Sequence, residues 1–341
     1  MIDLRSDTVT LPTPEMREVM ARAEVGDDGY GEDPSINRLQ ELAAEMLGKE
    51  DALFLPSGTM ANLAAIMSHT RPSDSIILGE NAHSWMFESG GPAAVAGVLP
   101  VTVGRGGTFT WQEVEENARG GNVHLPPTTL VMMENTHNGG GGIIFPQRDV
   151  IEIAEKAKFW KFKTHIDGAR IFNAAVATGR PAGELAAPVD SVSFCLSKGL
   201  GCPVGSLVCG SREFIQKARR YRELLGGGMR QAGVLAAAGI YALEHNIARL
   251  QEDHDHARLL AEKLSDLNGL SLDLAKVQTN MVFVGVMKAG RTAFEYAARL
   301  KERGVLVNAM GKAKFRAVTH LGISRPDILQ AAEIFAAALE G

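Results

Sequence analysis

Residues 190–210 read DSVSFCLSKGLGCPVGSLVCG. Two short apolar runs, SVSFCL and SLVCG, flank a turn that carries Gly199, Gly201, Pro203 and Gly205. Runs this short, apolar throughout and bounded by Asp, Gly or Pro, have the pattern of strands buried on both faces, as in a mostly parallel sheet. A single lysine, Lys198, follows the first run, and nothing in such a turn requires one. Working outward, the same pattern recurs in ALFLP, SIILG, PVTV, TLVMME and THID, making seven candidate strands in all. Helical patterns near 59–69, 111–119, 147–158 and 211–224 separate several of them. DPSINRLQELAAEMLG adds a helix with Asp33 as N-cap, Pro34 in the first turn and Gly48 as terminator. This alternation predicts an α/β domain, a mostly parallel seven-stranded sheet flanked by helices.

The character changes after LLGGGMRQAG at 224–233. A helical stretch is expected over roughly 230–268, judged by periodicity. TNMVFVGV, VLVNA and FRAVTHL then supply two or three strands, and RTAFEYAARLKERG and PDILQAAEIFAAALE two helices. We expect residues 1–235 to form an N-terminal arm and large domain, and 236–341 a small C-terminal α+β domain. The first 30 or so residues read as an arm that packs on something, another subunit being one candidate.

Bulk properties exclude several classes. With 45% hydrophobic and 22% charged residues, the 341-residue chain is a soluble globular protein. A net charge of −5 exerts no general pull on nucleic acid. No apolar run approaches the roughly 20 residues that span a bilayer. Cys195, Cys202 and Cys209 are an odd set, spaced too widely for a C-x-x-C zinc site and unsuited to a disulfide framework. No metal is expected, and the chain reads as cytoplasmic.

Three places carry candidate chemistry. In LPSGTMANLAAIM, Ser57, Gly58 and Thr59 fall at a helix N-terminus, where free N–H groups suit a phosphate; an ordinary cap is the alternative. In KTHIDGARIF, Asp167 ends a strand, where ligands of open α/β sheets bind. A carboxylate there can pair with a pyridinium nitrogen, or it can cap the next helix with Arg170 as a surface partner. Lys198 also ends a strand; a partly desolvated amine there can form a Schiff base, whereas a lone lysine can equally snorkel to water. Ser197 beside it and the glycines after it let backbone approach a cofactor. A phosphate cup, an aspartate and a lysine beyond strands of one sheet are what pyridoxal 5'-phosphate needs.

The motifs DLRSDTVT, EVGDDGYGEDPSIN, PSGTMAN, MENTHN, HIDGARIFNA, SFCLSKGLGCPVGSLV, GGGMRQAG and VTHLGISR resemble, in order and over essentially the whole chain, the L-threonine aldolase family. The resemblance implies fold type I of the pyridoxal-phosphate (PLP) enzymes and retro-aldol cleavage of β-hydroxy-α-amino acids to glycine and an aldehyde. It implies Lys198 as covalent anchor, Asp167 on the pyridine nitrogen and Ser57, Gly58 and Thr59 on the phosphate. His83 matches the histidine stacked on the cofactor ring. Arg170 grips the cofactor–substrate assembly, with Arg316 and Ser6 on the substrate carboxylate. His137 matches the histidine near the β-hydroxyl and is the first choice of base, His83 the second. Tyr30 and Arg230 match segments that reach a neighbouring subunit's site in a homotetramer. Partners are small amino acids and aldehydes, with no nucleic acid and no membrane. NGGGGIIF after His137 leads us to expect a mobile loop, and Trp85 a reshaped pocket. A PLP-dependent β-eliminating lyase is the nearest rival, a non-catalytic protein of the same fold the next.

Overall fold

The computed structural model describes residues 1–288 and 290–340. In chain order its strands are β1 (Ile2–Asp3), β2 (Asp51–Leu55), β3 (Ser75–Gly79), β4 (Leu99–Val103), β5 (Thr128–Glu134), β6 (Lys163–Asp167), β7 (Ser191–Cys195) and β8 (Ser206–Gly210). They continue with β9 (Leu270–Ser271), β10 (Met281–Val286), β11 (Val305–Leu306), β12 (Asn308–Ala309) and β13 (Lys314–Val318). Seven of these form one sheet in the order β2-β8-β7-β6-β5-β3-β4. The pairings from β7 to β4 are parallel, and β8 joins antiparallel to both β7 and β2. Every residue of β3, β7 and β8 is buried, because helices cover both faces. Alternate side chains divide accordingly: Ala52 and Phe54 join one apolar cluster, Leu53 and Leu55 another.

The local signals act as read. Asp33 Oδ1 accepts the Ile36 N–H at 3.0 Å and Gly48 closes helix Pro34–Leu47 in the left-handed region. The stretch expected as one helix over 230–268 is instead two, Gly233–His245 and Leu250–Ser265. At the break Asn246 turns inward and donates to the Leu200 carbonyl at 2.7 Å. No glycine or proline marks this break in the sequence.

A second, antiparallel sheet, β12-β13-β10-β9, packs with Ala293–Glu302 and Arg325–Glu340 around Tyr296, Phe315 and Phe335. Ile2 and Leu4 belong to that same cluster. β1 pairs parallel with β11, and Val318 donates to the Leu4 carbonyl. The start of the arm therefore packs on its own chain. Helix Pro14–Ala21 likewise lies against Gly233–His245.

Candidate active site

Glu134, Asp167 and Ser193 stand abreast on β5, β6 and β7, at the carboxyl end of the parallel strands. Beyond them opens a cleft of about 290 Å³ whose walls include Ser6, His83, Asn138, Arg170, Lys198 and Arg316. Five of these were singled out as site residues from the sequence; Asn138, the last residue of MENTHN, was not. Lys198 is half-buried and makes no ion pair among the described residues. Its carbonyl accepts from Thr10 Oγ1 at 3.1 Å, which ties the arm to the lysine loop.

Asp167 does not cap the following helix. Its Oδ2 accepts from Asn62 Nδ2 at 2.8 Å and its Oδ1 from the Ala169 N–H at 3.1 Å. Arg170 is not a surface partner either. It is buried, and its Nε and Nη2 donate to Asp7 Oδ2 and Oδ1 at 2.7 and 2.6 Å. Burial alone would raise the Asp7 carboxyl, but the Arg170 guanidinium outweighs it and holds Asp7 far below the usual carboxylate range. With its fork engaged by Asp7, Arg170 leaves the second arginine as the more available anion donor. Arg316 donates through Nη1 to Asn138 Oδ1 at 2.7 Å, while its buried Nε has no partner among the described residues. Burial, then the charge of Arg170, pushes Arg316 down to about 10, so it stays charged at neutral pH and gains from an arriving anion.

Ser57 caps helix Gly58–His69, its Oγ accepting the Met60 N–H at 3.2 Å, so the cup is also an ordinary cap. A Cβ on Gly58 would lie 2.8 Å from Cys195 Sγ, so only glycine lets this helix start abut the end of β7. Ser197, Gly58 and Thr59 thus lie near one strand end. Tyr30 and Arg230, by contrast, do not line the cleft of their own chain. Both are about four-fifths exposed and adjoin each other near Asp27.

The two histidines differ most from expectation. His83 lines the cleft; its N–H donates to Glu134 Oε2 at 2.7 Å and its Nδ1 lies 2.9 Å from Glu88 Oε1. His137 is wholly buried and does not line the cleft. Its Nδ1 accepts the Gly140 N–H at 2.9 Å, and Nε2 faces Glu134 Oε2 at 3.6 Å. A Cβ on Gly107 would lie 2.2 Å from this ring, so the imidazole is clamped behind the wall. The cleft is therefore open to His83 and closed to His137. Glu134 also accepts the Asn138 N–H at 2.7 Å, joining the His83 and Arg316 sides of the cleft.

Two further features of the cleft's surroundings stand out. The glycines after His137 are sites of close approach: Cβ atoms at 139, 140, 141 and 142 would meet neighbours at 2.8, 2.5, 3.1 and 2.8 Å. They permit close packing against Asn81, Gly106, Phe283 and Thr279. Trp85 packs into a cluster with Leu63 and Ile76, and Phe87 reaches the cleft instead. Asp7, Asn62, Glu88 and Asn138 were missed, since a polar residue's burial is not visible in a single sequence. The available signal was position: Asp7, Asn62 and Asn138 stand inside DLRSDTVT, PSGTMAN and MENTHN, and Glu88 five residues after His83.

The seven-stranded sheet and a lysine and aspartate at its carboxyl edge define a protein of fold type I of the PLP enzymes. The chain belongs to the L-threonine aldolase family, within the broader family described as β-eliminating lyase, whose sequence profile matches residues 3–287. It is 46% identical to the low-specificity L-threonine aldolase of Escherichia coli K12, covering 97% of each chain. It is likewise 46% identical to low-specificity L-threonine aldolase 1 of Arabidopsis thaliana, over 96% of this chain and 93% of that one. The solved threonine aldolase of Leishmania major superposes with a TM-score of 0.84 at 19% identity, covering 99% of this chain and all of that one.

Proposed function

We propose that this protein cleaves L-threonine, L-allo-threonine and related β-hydroxy-α-amino acids to glycine and an aldehyde, using pyridoxal 5'-phosphate. The observation that carries the reading is one cleft combining an unpaired Lys198, an Arg316 with an orphaned Nε, and His83. The donor set fits the cofactor: Lys198 would hold its aldehyde, Asp167 its pyridine nitrogen, and the Ser57–Thr59 helix start its phosphate. Bound there, the cofactor supplies a sink for the electron pair released when Cα–Cβ breaks.

The remaining work belongs to the chain's own side chains. Arg316 Nε and Ser6 bind the substrate carboxylate and so set which bond at Cα faces the sink. His83 accepts the β-hydroxyl proton; burial alone would push its imidazole down, but the Glu88 hydrogen bond and the Asp167 charge raise it. Arg170, held by Asp7, keeps a fixed positive charge beside the carboxylate site. Residues 1–235 serve as arm and cofactor domain and 236–341 as the small domain. We read the assembly as a cytoplasmic homotetramer in which the exposed Tyr30 and Arg230 complete a neighbour's site. No described helix is long and apolar enough to cross a membrane.

Incubation with L-threonine should release acetaldehyde and glycine in equal amounts, and Lys198→Ala should abolish both. Ammonia and a keto acid without acetaldehyde would establish the β-eliminating alternative instead.

A further inference from the structure

Glu88 lies five residues beyond His83, is almost fully buried, and makes two contacts, of which the reaction as described uses only the one to His83. Its Oε1 accepts from Asn62 Nδ2 at 2.9 Å and stands 2.9 Å from His83 Nδ1. The Asn62 amide has only one chemically sensible orientation. Its NH₂ faces two carboxylates, Glu88 and Asp167, while its Oδ1 accepts from Ser193 Oγ at 2.9 Å. Glu88 Oε1 therefore acts as acceptor on both sides, and the proton of the shared hydrogen bond with the imidazole sits on His83 Nδ1. His83 Nε2 makes no protein hydrogen bond among the described residues. His137 shows the converse: its Nδ1 is the acceptor, from Gly140.

We propose that Glu88 is the positioning residue that fixes His83 in its Nδ1-protonated form, leaving the Nε2 lone pair free to take the substrate's hydroxyl proton, and that Asn62 couples this carboxylate to Asp167. The inference rests on the cleft being the reaction site proposed above. It accounts for a buried carboxylate that contributes no atom to the cleft wall. It also explains Asn62, whose one amide separates two buried carboxylates that would otherwise repel and supplies a hydrogen bond to each. A ring nitrogen of His83 and carboxylate oxygens of Glu88 and Asp167 lie within 4.8 Å of one another. With amide protons between the two carboxylates, the cluster is built for a hydrogen-bonded chain running Ser193–Asn62–Glu88–His83. The charged groups that bear on the imidazole are Glu88 on the loop after residue 86, Asp167 at the end of β6, and Lys198 after β7. Glu134 at the end of β5 holds its backbone N–H. Of these, Glu88 alone touches the ring nitrogens.

The proposal is tested by histidine NMR on the full-length holoenzyme, labelled with ¹⁵N-histidine and assigned with His83→Asn. Two-bond ¹H–¹⁵N correlations should show His83 with its proton on Nδ1, and a proton on Nε2 would overturn the proposal without any variant of Glu88. In Glu88→Gln, which keeps an acceptor but loses the charge, the His83 pKa should fall. The acid limb of the kcat–pH profile should move down with it, while KM for threonine stays within about twofold, since uniform binding is untouched. An unchanged His83 pKa in that variant refutes the assignment. Where Glu88→Gln does not fold, the tautomer in the parent protein decides. Because the tautomer and pKa are read without turnover, they stand even for a protein that releases no acetaldehyde, a result that would sink the proposed activity alone.

Discussion

Replacing Asp7 by asparagine removes the charge opposite Arg170 while keeping the shape of the side chain. The pair is enclosed on all sides and bidentate, at 2.7 and 2.6 Å, with Asn280 Nδ2 donating a further bond to Asp7 Oδ2 at 3.2 Å. Breaking one side of a buried pair strands the other charge and costs about 3–5 kcal/mol. At about 2.1 cal/mol/K per residue, 341 residues have an unfolding entropy of about 0.7 kcal/mol/K. The melting temperature should therefore fall by about 4–7 °C at pH 7. The pH dependence has a defined sign. Asp7 titrates far below its unfolded value of about 3.9, so its stabilisation is complete above that pH and is lost progressively in acid. The gap between parent and Asp7→Asn, measured by calorimetry, should consequently narrow below about pH 4. Adding Arg170→Met removes the stranded charge and should recover part of the loss. An Asp7→Asn protein that melts with the parent at pH 7 would show that the pair contributes nothing, and the reading of Arg170 as a held charge would fall.

The two histidines can be separated by kinetics. His83→Asn should lower kcat/KM for threonine by about 10²–10⁴-fold, the usual range for a lost general base. His137→Asn should stay within about tenfold while unfolding at lower denaturant, because its ring packs against Gly107 behind the wall; the opposite ranking would restore His137 as base. Gly142→Ala forces a side chain onto a backbone at φ +77° and to 2.8 Å from Thr279 Oγ1, which should cost about 1–3 kcal/mol in urea unfolding. Gly120→Ala meets open space at an ordinary φ and should change stability by less than about 0.5 kcal/mol. Equal costs at the two positions would refute the close-packed reading of the loop.

What the sequence determined by itself is whatever short-range chemistry controls. Asp33, Pro34 and Gly48 bound their helix because capping acts over three or four residues. The short apolar runs became one sheet because a strand buried on both faces, as β3, β7 and β8 are, has no polar positions to spare, while PVTV takes the half-exposed edge. Lys198 and Asp167 could be placed at strand ends for the same reason. Tertiary structure decided everything that depends on a distant partner. Arg170 lies 163 residues from Asp7, so nothing near KTHIDGARIF indicates that its fork is engaged. The break after His245 depends on a carbonyl 46 residues away, and β1 pairs with a strand some 300 residues later. His137 carries the motif of a reacting group, yet contacts from Gly107 and Gly140 turn its ring behind the cleft wall. Motif and spacing place a side chain's backbone. Which way the side chain faces, and which proton it carries, follow from packing across elements that a linear sequence does not display.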